Sequence, residues 1–355
     1  MLSVATAAPP QAPLTVVTRG GAIESTHFGS VAVVDRKGTL LYAAGDPFTL
    51  TFTRSALKPL QALPFVAADG HTRLGLTEPE IALLCASHSG EPPHVDAAVS
   101  ILTKAGRSAG DLQCGAHLPL GFEARGVAAP PPPYSPLAHN CSGKHAGMLA
   151  CCVDCGYDTG DYLVFEHPLQ QAIRRGVACF TALREDELIA GVDGCSAPNY
   201  AMPLAHLAYA YARLVRPEPD ADFGSAPKIL SDAMRAHPEM VSGTARSDLA
   251  LAQAGRGDWV AKIGAEGVQA VAIRSRGWGI AVKVADGSAR GLYPAIVAVL
   301  AQLELLDSSA ASRLAKWATP TIRNHRAVAI GEARGAVSLA TQTEGVNVAN
   351  NAVRK

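Results

Sequence analysis

Val16-Val17-Thr18 and the run Val-Ala-Val-Val at residues 31–34 are short stretches rich in β-branched residues. The second leads through Asp35-Arg36-Lys37-Gly38 into Leu40-Leu41-Tyr42, an order that predicts a hairpin: strand, polar glycine turn, strand. A second strand-rich zone lies far downstream, at residues 259–263, 268–273 and 278–284. Its runs are separated by Ala265-Glu266-Gly267 and Ser275-Arg276-Gly277, which predicts an antiparallel meander, with a helix following at residues 292–305. Between the zones the apolar spacing is helical, at residues 56–67, 78–86, 94–105, 167–180, 202–214 and 227–237. The Pro-rich stretch 129–136 interrupts them as a stiff extended connector. The expected class is α+β, with an antiparallel sheet assembled from both chain ends, flanking helices and a helical insertion. Residues 14–50 with 255–331 form the sheet-bearing part and 51–254 the largely helical part. Residues 1–13 and 335–355 are expected to be loosely structured.

Charge removes whole classes of function. Among 355 residues, 31 Lys+Arg balance 31 Asp+Glu, so there is no basic excess to neutralise nucleic-acid phosphates. With 48% hydrophobic residues the chain has enough apolar material for a core, and disorder is excluded. Aromatics are only 5%, so that core rests on Ala, Val, Leu and Ile. No run spans a bilayer, since the greasiest stretch, 292–306, is short and contains Gln302 and Glu304. The first 13 residues lack the basic and apolar regions of a signal peptide. A cytoplasmic location is therefore expected, with the 8 cysteines reduced.

Arg54-Ser55-Ala56-Leu57-Lys58-Pro59 opens a predicted helix, on which residues three apart share a face. A serine hydroxyl must lose its proton to attack a carbonyl, and a neutral lysine amine one turn away can accept it. Alone, the same residues also suit an ordinary helix start. Lys262-Ile263-Gly264, at the end of the first meander strand, adds a second cation on an edge strand. β-Lactamases and penicillin-binding proteins combine Ser-x-x-Lys with such a Lys-Thr-Gly strand. In Cys85-Ala86-Ser87-His88-Ser89-Gly90-Glu91, Ser87 is placed to relay protons with Lys262, and His88 and Glu91 are candidate substrate contacts. Arg246 and Asp248 are candidates for gripping opposite ends of a zwitterion, or for a loop salt bridge.

His139-Asn140-Cys141-Ser142-Gly143-Lys144-His145 reads as a short loop of unusual chemistry, and Asp193-Gly194-Cys195-Ser196 presents a cysteine in a tight turn. Neither is a standard zinc signature, although two cysteines and a histidine could close a tetrahedral site. The remaining cysteines read as buried thiols.

In order and spacing these segments resemble the asparaginase II family of the rhizobial, thermolabile type, from about residue 16 to residue 331. The resemblance implies a fold like serine β-lactamases and glutaminases, and hydrolysis of L-asparagine to L-aspartate and ammonia. It implies two serine–lysine pairs, Ser55 with Lys58 and Ser87 with Lys262, and Arg54 helping to hold substrate; His139 and Asp193 are further candidate substrate contacts. It further implies zinc held by Cys141, Lys144 and Cys195, a small amino-acid amide as substrate, no nucleic-acid or membrane partner, and a homodimer. Rival readings are a glutaminase, a β-lactam or ester hydrolase using the same apparatus, and a non-catalytic metal-binding interaction protein.

Overall fold

The computed structural model describes residues 10–342 and 346–350. Three strands open the chain, β1 (Ala12–Arg19), β2 (Ala22–Asp35) and β3 (Leu40–Ala44). A small sheet follows from β4 (Leu50–Phe52), β5 (Ile189–Val192) and β6 (Pro198–Pro203), in the order β4-β6-β5. The late meander is β7 (Trp259–Gly264), β8 (Val268–Ile273) and β9 (Trp278–Val284), and the chain ends with β10 (Thr321–Arg323), β11 (Ala329–Gly335) and β12 (Ala340–Thr341). The main sheet runs β10-β11-β1-β2-β9-β8-β7, with β3 on β2 and β12 on β3, all antiparallel. The expectation of a sheet built from both chain ends therefore holds, and its seam is the pairing of β2 with β9, from Gly29 opposite Val284 to Asp35 opposite Trp278.

The unbroken apolar run in β2 has a physical cause. Its side chains alternate, with Val31 and Val33 entering one core and Ala32 and Val34 the other. A strand covered on both faces needs no polar side. One cover is the helix pair Ala289–Gln302 and Ser308–Ala318; the other is the helical middle of the chain. The helix Leu204–Leu214 lies directly on β9, where Gly279 leaves it room. A Cβ there would stand 1.8 Å from the Ala208 carbonyl oxygen.

Three expectations change. The segment read as a loop around Cys141 is mostly a helix, Ser142–Cys155, because Gly143 and Gly147 let it press onto Leu83 and Leu84. The helix expected from residue 202 starts at Leu204, because Pro198–Pro203 is spent on β6. The tail is not loose throughout: Ala340–Thr341 pairs with β3, Asn347 bridges Thr39, and Val348 is fully buried. The expectation for residues 1–9, 343–345 and 351–355 lies outside the described residues.

Candidate active site

Residues Arg54–Leu57 form a single tight turn before the helix Lys58–Ala67. Arg54 adopts a left-handed backbone, φ +48°, which is uncommon for a side chain of its size. Asn199 of β6 holds it there: its amide oxygen accepts from Arg54 N at 3.0 Å and its amide nitrogen donates to Arg54 O at 3.0 Å. Arg54 also ion-pairs with Asp193 at 2.8 Å, in the turn between β5 and β6. Burial opposes the Asp193 carboxylate, but Lys144 and Arg54 outweigh it and hold its pKa below the usual range. Sequence reasoning missed Asn199. Only knowledge of the strained turn it clamps would have pointed to it.

Behind this turn lies a chain of two amines and one hydroxyl. Ser87 Oγ stands 3.0 Å from Lys58 Nζ and 2.9 Å from Lys262 Nζ, and all three residues are buried. Lys58 Nζ also donates to the carbonyls of Ala86 and Asn140, and Lys262 Nζ to that of Ile263 at 2.7 Å. Burial is the main reason the Lys262 pKa falls to about 7, with Lys58 and Arg246 pushing the same way and Asp248 opposing. Lys262 is therefore an amine able to take a proton near neutral pH.

The expected hydrogen bond between Ser55 and Lys58 is not formed among the described residues. Three oxygens, from Ala86, Ser87 and Asn140, draw the Lys58 amine away from its own turn. Ser55 instead lines a polar pocket of about 240 Å³ with Arg54, His139, Asn140, Asp193 and Cys195. Ser87 does not line it. Thus the reachable hydroxyl and the doubly lysine-bonded hydroxyl belong to different serines.

The pocket floor carries the two thiols. Lys144 Nζ donates to Cys195 Sγ at 2.9 Å. A hydrogen bond from Cys195 does most to hold the Cys141 thiol well below its ordinary pKa; burial resists, and Lys58 and Lys144 assist. Burial also works against the Lys144 ammonium, but Cys195 and Cys141 more than compensate and its pKa is raised. His145 is buried beside them, its Nε2 without a hydrogen-bond partner among the described residues and its Nδ1 lying 2.8 Å from the Tyr162 hydroxyl. Among the described residues no three His, Cys, Asp or Glu side chains gather as a metal cluster. What is gathered is two thiols and an amine, a donor set that suits a thiophilic ion such as zinc once the amine has lost its proton.

Comparison with known proteins bears on this arrangement. The profile of the L-asparaginase II family matches residues 15–335. The chain belongs to the L-asparaginase II family. As a member of the L-asparaginase II family it is an enzyme that hydrolyses amides, with a small amino-acid amide as the class of substrate. No curated protein sequence matches it. Among solved structures it is similar to a β-lactamase from Mycobacterium bovis, at 16% identity and TM-score 0.40 over 77% of this chain and 94% of that one. It is also similar to Mglu in its native form in 4.3 M NaCl, at 15% identity and TM-score 0.35 over 79% of this chain and 62% of that one. No helix among the described residues is long and apolar enough to cross a membrane.

Not every candidate of this L-asparaginase II family chain reaches the Ser55 pocket. His139 does, and burial, followed by the charge of neighbouring His117, lowers its pKa to about 4. His117, which sequence reasoning missed, stacks edge-on against it at 4.3 Å. His88 does not line the pocket. It is fully buried, with Nε2 2.9 Å from Ser142 Oγ and Nδ1 accepting from Gly90 N. Glu91 opens the helix Pro92–Lys104 and pairs with Arg125 and Thr244. Arg246 lines a different pocket, of about 310 Å³, with Tyr293 and Trp317. Asp248 is buried under β7, accepting from Ile263 N and Gln269 Nε2. The sequence places these four near polar turns, but backbone and neighbouring groups already engage three of them, and Arg246 turns to another cavity.

His88 and His94 stack at 5.0 Å, and burial is the main cause that lowers both pKa values. A depressed imidazole is protonated more readily in the unfolded chain, so acid favours unfolding. Their contribution is complete above the ordinary histidine value, about 6.5, and is lost below it. The share of the melting temperature that this pair supplies is therefore expected to be level above about pH 7 and to fall as pH drops below about 6.5. A melting temperature unchanged down to about pH 5 would contradict neutral burial of this pair.

Proposed function

We propose that this protein is an L-asparagine amidohydrolase that forms aspartate and ammonia through an acyl-enzyme on Ser55. The observation that carries the reading is the buried chain Lys58–Ser87–Lys262 placed directly behind a pocket lined by Ser55. A proton moved from Lys58 through Ser87 to Lys262 leaves the Lys58 amine free to take the Ser55 proton as Oγ attacks the side-chain amide carbon. Hydrogen bonds between catalytic groups commonly tighten only when substrate is bound, which suits an open Ser55–Lys58 distance in the free enzyme. The oxyanion meets the backbone amide of Ser55 at the start of the turn. The stored proton returns along the same chain to the departing ammonia, and water then cleaves the β-aspartyl ester. Arg54, Asp193 and His139 line the pocket and bind and orient the amino acid. The size of the pocket suits one small amino-acid amide.

The reading includes zinc held by Cys141, Lys144 and Cys195, where it would supply a fixed positive charge that orients substrate. Because Lys144 must lose a proton to bind it, zinc affinity is expected to rise with pH, and Cys195→Ser protein to be isolated with little zinc. Metal analysis of dialysed protein checks both, and equal zinc in the variant removes Cys195 from the ligand set. A cytoplasmic setting is supported by eight free cysteines, and a homodimer by the exposed apolar Leu50, Phe52, Ile189 and Val192 on the small sheet.

Mass spectrometry of protein quenched during asparagine turnover tests the central step. An aspartyl adduct on the peptide containing Ser55 is expected. An adduct on the Ser87 peptide instead would transfer the nucleophile to Ser87, and absence of any adduct would remove the acyl-enzyme.

A further inference from the structure

Asp248 does not line the Ser55 pocket, yet among the described residues it is the one carboxylate beside the lysine chain. It lies in the first turn of the helix Ser247–Ala254, which packs on β7, the last strand of the main sheet. Its side chain is 2% exposed and each oxygen has a donor. Oδ2 accepts from Ile263 N at 2.8 Å, and Oδ1 accepts from Gln269 Nε2 at 2.9 Å. Ile263 follows Lys262 directly, and Gln269 is the partner of Ile263 across β7 and β8. The carboxylate thus covers a backbone N–H on the edge strand that carries the lysine. It also stands 3.8 Å from Lys262 Nζ, close enough to act through charge and too far for a good hydrogen bond.

We propose that Asp248, held in place by Ile263 N–H and Gln269, is a positioning residue that sets the protonation of Lys262 in the Lys58–Ser87–Lys262 chain. Resting on the acyl-enzyme reading above, this gives the residue a part other than binding substrate. The distance matters. In direct contact, a buried carboxylate would fix the amine as a permanent ammonium, useless as a base. With no carboxylate, a buried amine beside Lys58 would hold a proton too weakly to store it. The other groups whose charge acts on Lys262 are Lys58 from the helix after the Ser55 turn and Arg246 from the loop before the Asp248 helix. Cys85 and Cys141 complete the set, the first a neutral thiol whose pKa burial raises to about 12. Asp248 and Cys141 favour the ammonium, and burial, Lys58 and Arg246 oppose it.

Asp248→Asn keeps the shape and removes the charge. The new amide would face Gln269 Nε2, but Gln269 Oε1 is buried with no partner among the described residues, so a flip of the glutamine amide restores that bond in exchange for the one Nε2 donates to the Ala270 carbonyl. The acid limb of kcat/KM for asparagine is expected to move to lower pH by about one unit in this variant. Gln269→Met releases one carboxylate oxygen toward the amine and is expected to move the limb the opposite way, which keeps the test open if Asp248→Asn fails to fold. Limbs that coincide with wild type in folded variants overturn the proposal, because a purely structural role lowers stability without moving a pH profile. Quenched mass spectrometry on the same proteins separates the two ideas. An adduct on Ser55 with unmoved limbs rejects the role of Asp248 alone, whereas moved limbs without that adduct reject only the nucleophile.

Discussion

Ser55→Ala is expected to lower ammonia release from asparagine by at least about a thousandfold while the melting temperature stays near that of wild type. The loss is large because the hydroxyl is the one that lines the pocket, and alanine offers no atom to form the ester. Folding is spared because the side chain is half-buried and no hydrogen bond of its hydroxyl is lost among the described residues. The same protein should still bind aspartate through Arg54, Asp193 and His139, which calorimetry can check. Near-normal ammonia release from Ser55→Ala would shift the reaction to Ser87, which two lysines already contact.

Lys262→Met is expected to cost roughly 10²–10⁴-fold in kcat/KM, the range for removing a positioned proton acceptor. In wild type, activity should decline as pH falls below about 7, because the amine that receives the proton becomes occupied. That limb should vanish in Lys262→Met. Methionine fills a fully buried site of similar length, so a cavity is not the cause of any loss. Lys262→Arg sharpens the test. It retains the positive charge but cannot give up its proton, so it should be as inactive as the methionine variant. An active arginine variant would make Lys262 an electrostatic support and not a proton acceptor.

Local pattern made the main sheet legible. The apolar runs at Trp259–Ile263 and Trp278–Val284 are bounded by glycine turns and became strands within a residue of their expected limits, whereas Val31–Val34 is the end of a longer strand that begins at Ala22. What local pattern missed was decided at a distance. Met202 looked like a helix residue among apolar neighbours, but it pairs with Thr51 of β4 in a sheet that the sequence order conceals. Gly143 looked like a loop residue, whereas its missing side chain, with that of Gly147, allows the helix Ser142–Cys155 to touch Leu83 and Leu84.

The site divides the same way. Ser-x-x-Lys and Lys-x-Gly single out Ser55, Lys58 and Lys262 as candidates only in combination. Spacing could not assign partners, because the Lys58 amine is drawn to Ser87 by carbonyls from residues 86 and 140. Asn199 carries no motif, yet it clamps both backbone groups of Arg54. Arg246 and Asp248 stood two apart in a polar turn and read as either a substrate clamp or a loop salt bridge. The helix start between them sends one to a separate pocket and the other beneath β7.

The seam of the sheet also orders events during synthesis. Ala32 and Ala281 are neighbours across β2 and β9, and Ser87 and Lys262 are 175 residues apart in the chain. At translation rates of about 5–20 residues per second, the opening strands leave the ribosome roughly ten seconds or more before β9 exists to cover their edge. Lys262 arrives just as late, so a nascent chain carries its serines without their second amine. On the mechanism proposed above, catalysis would await the completed chain, and the flank of β2 that β9 covers stays open until then.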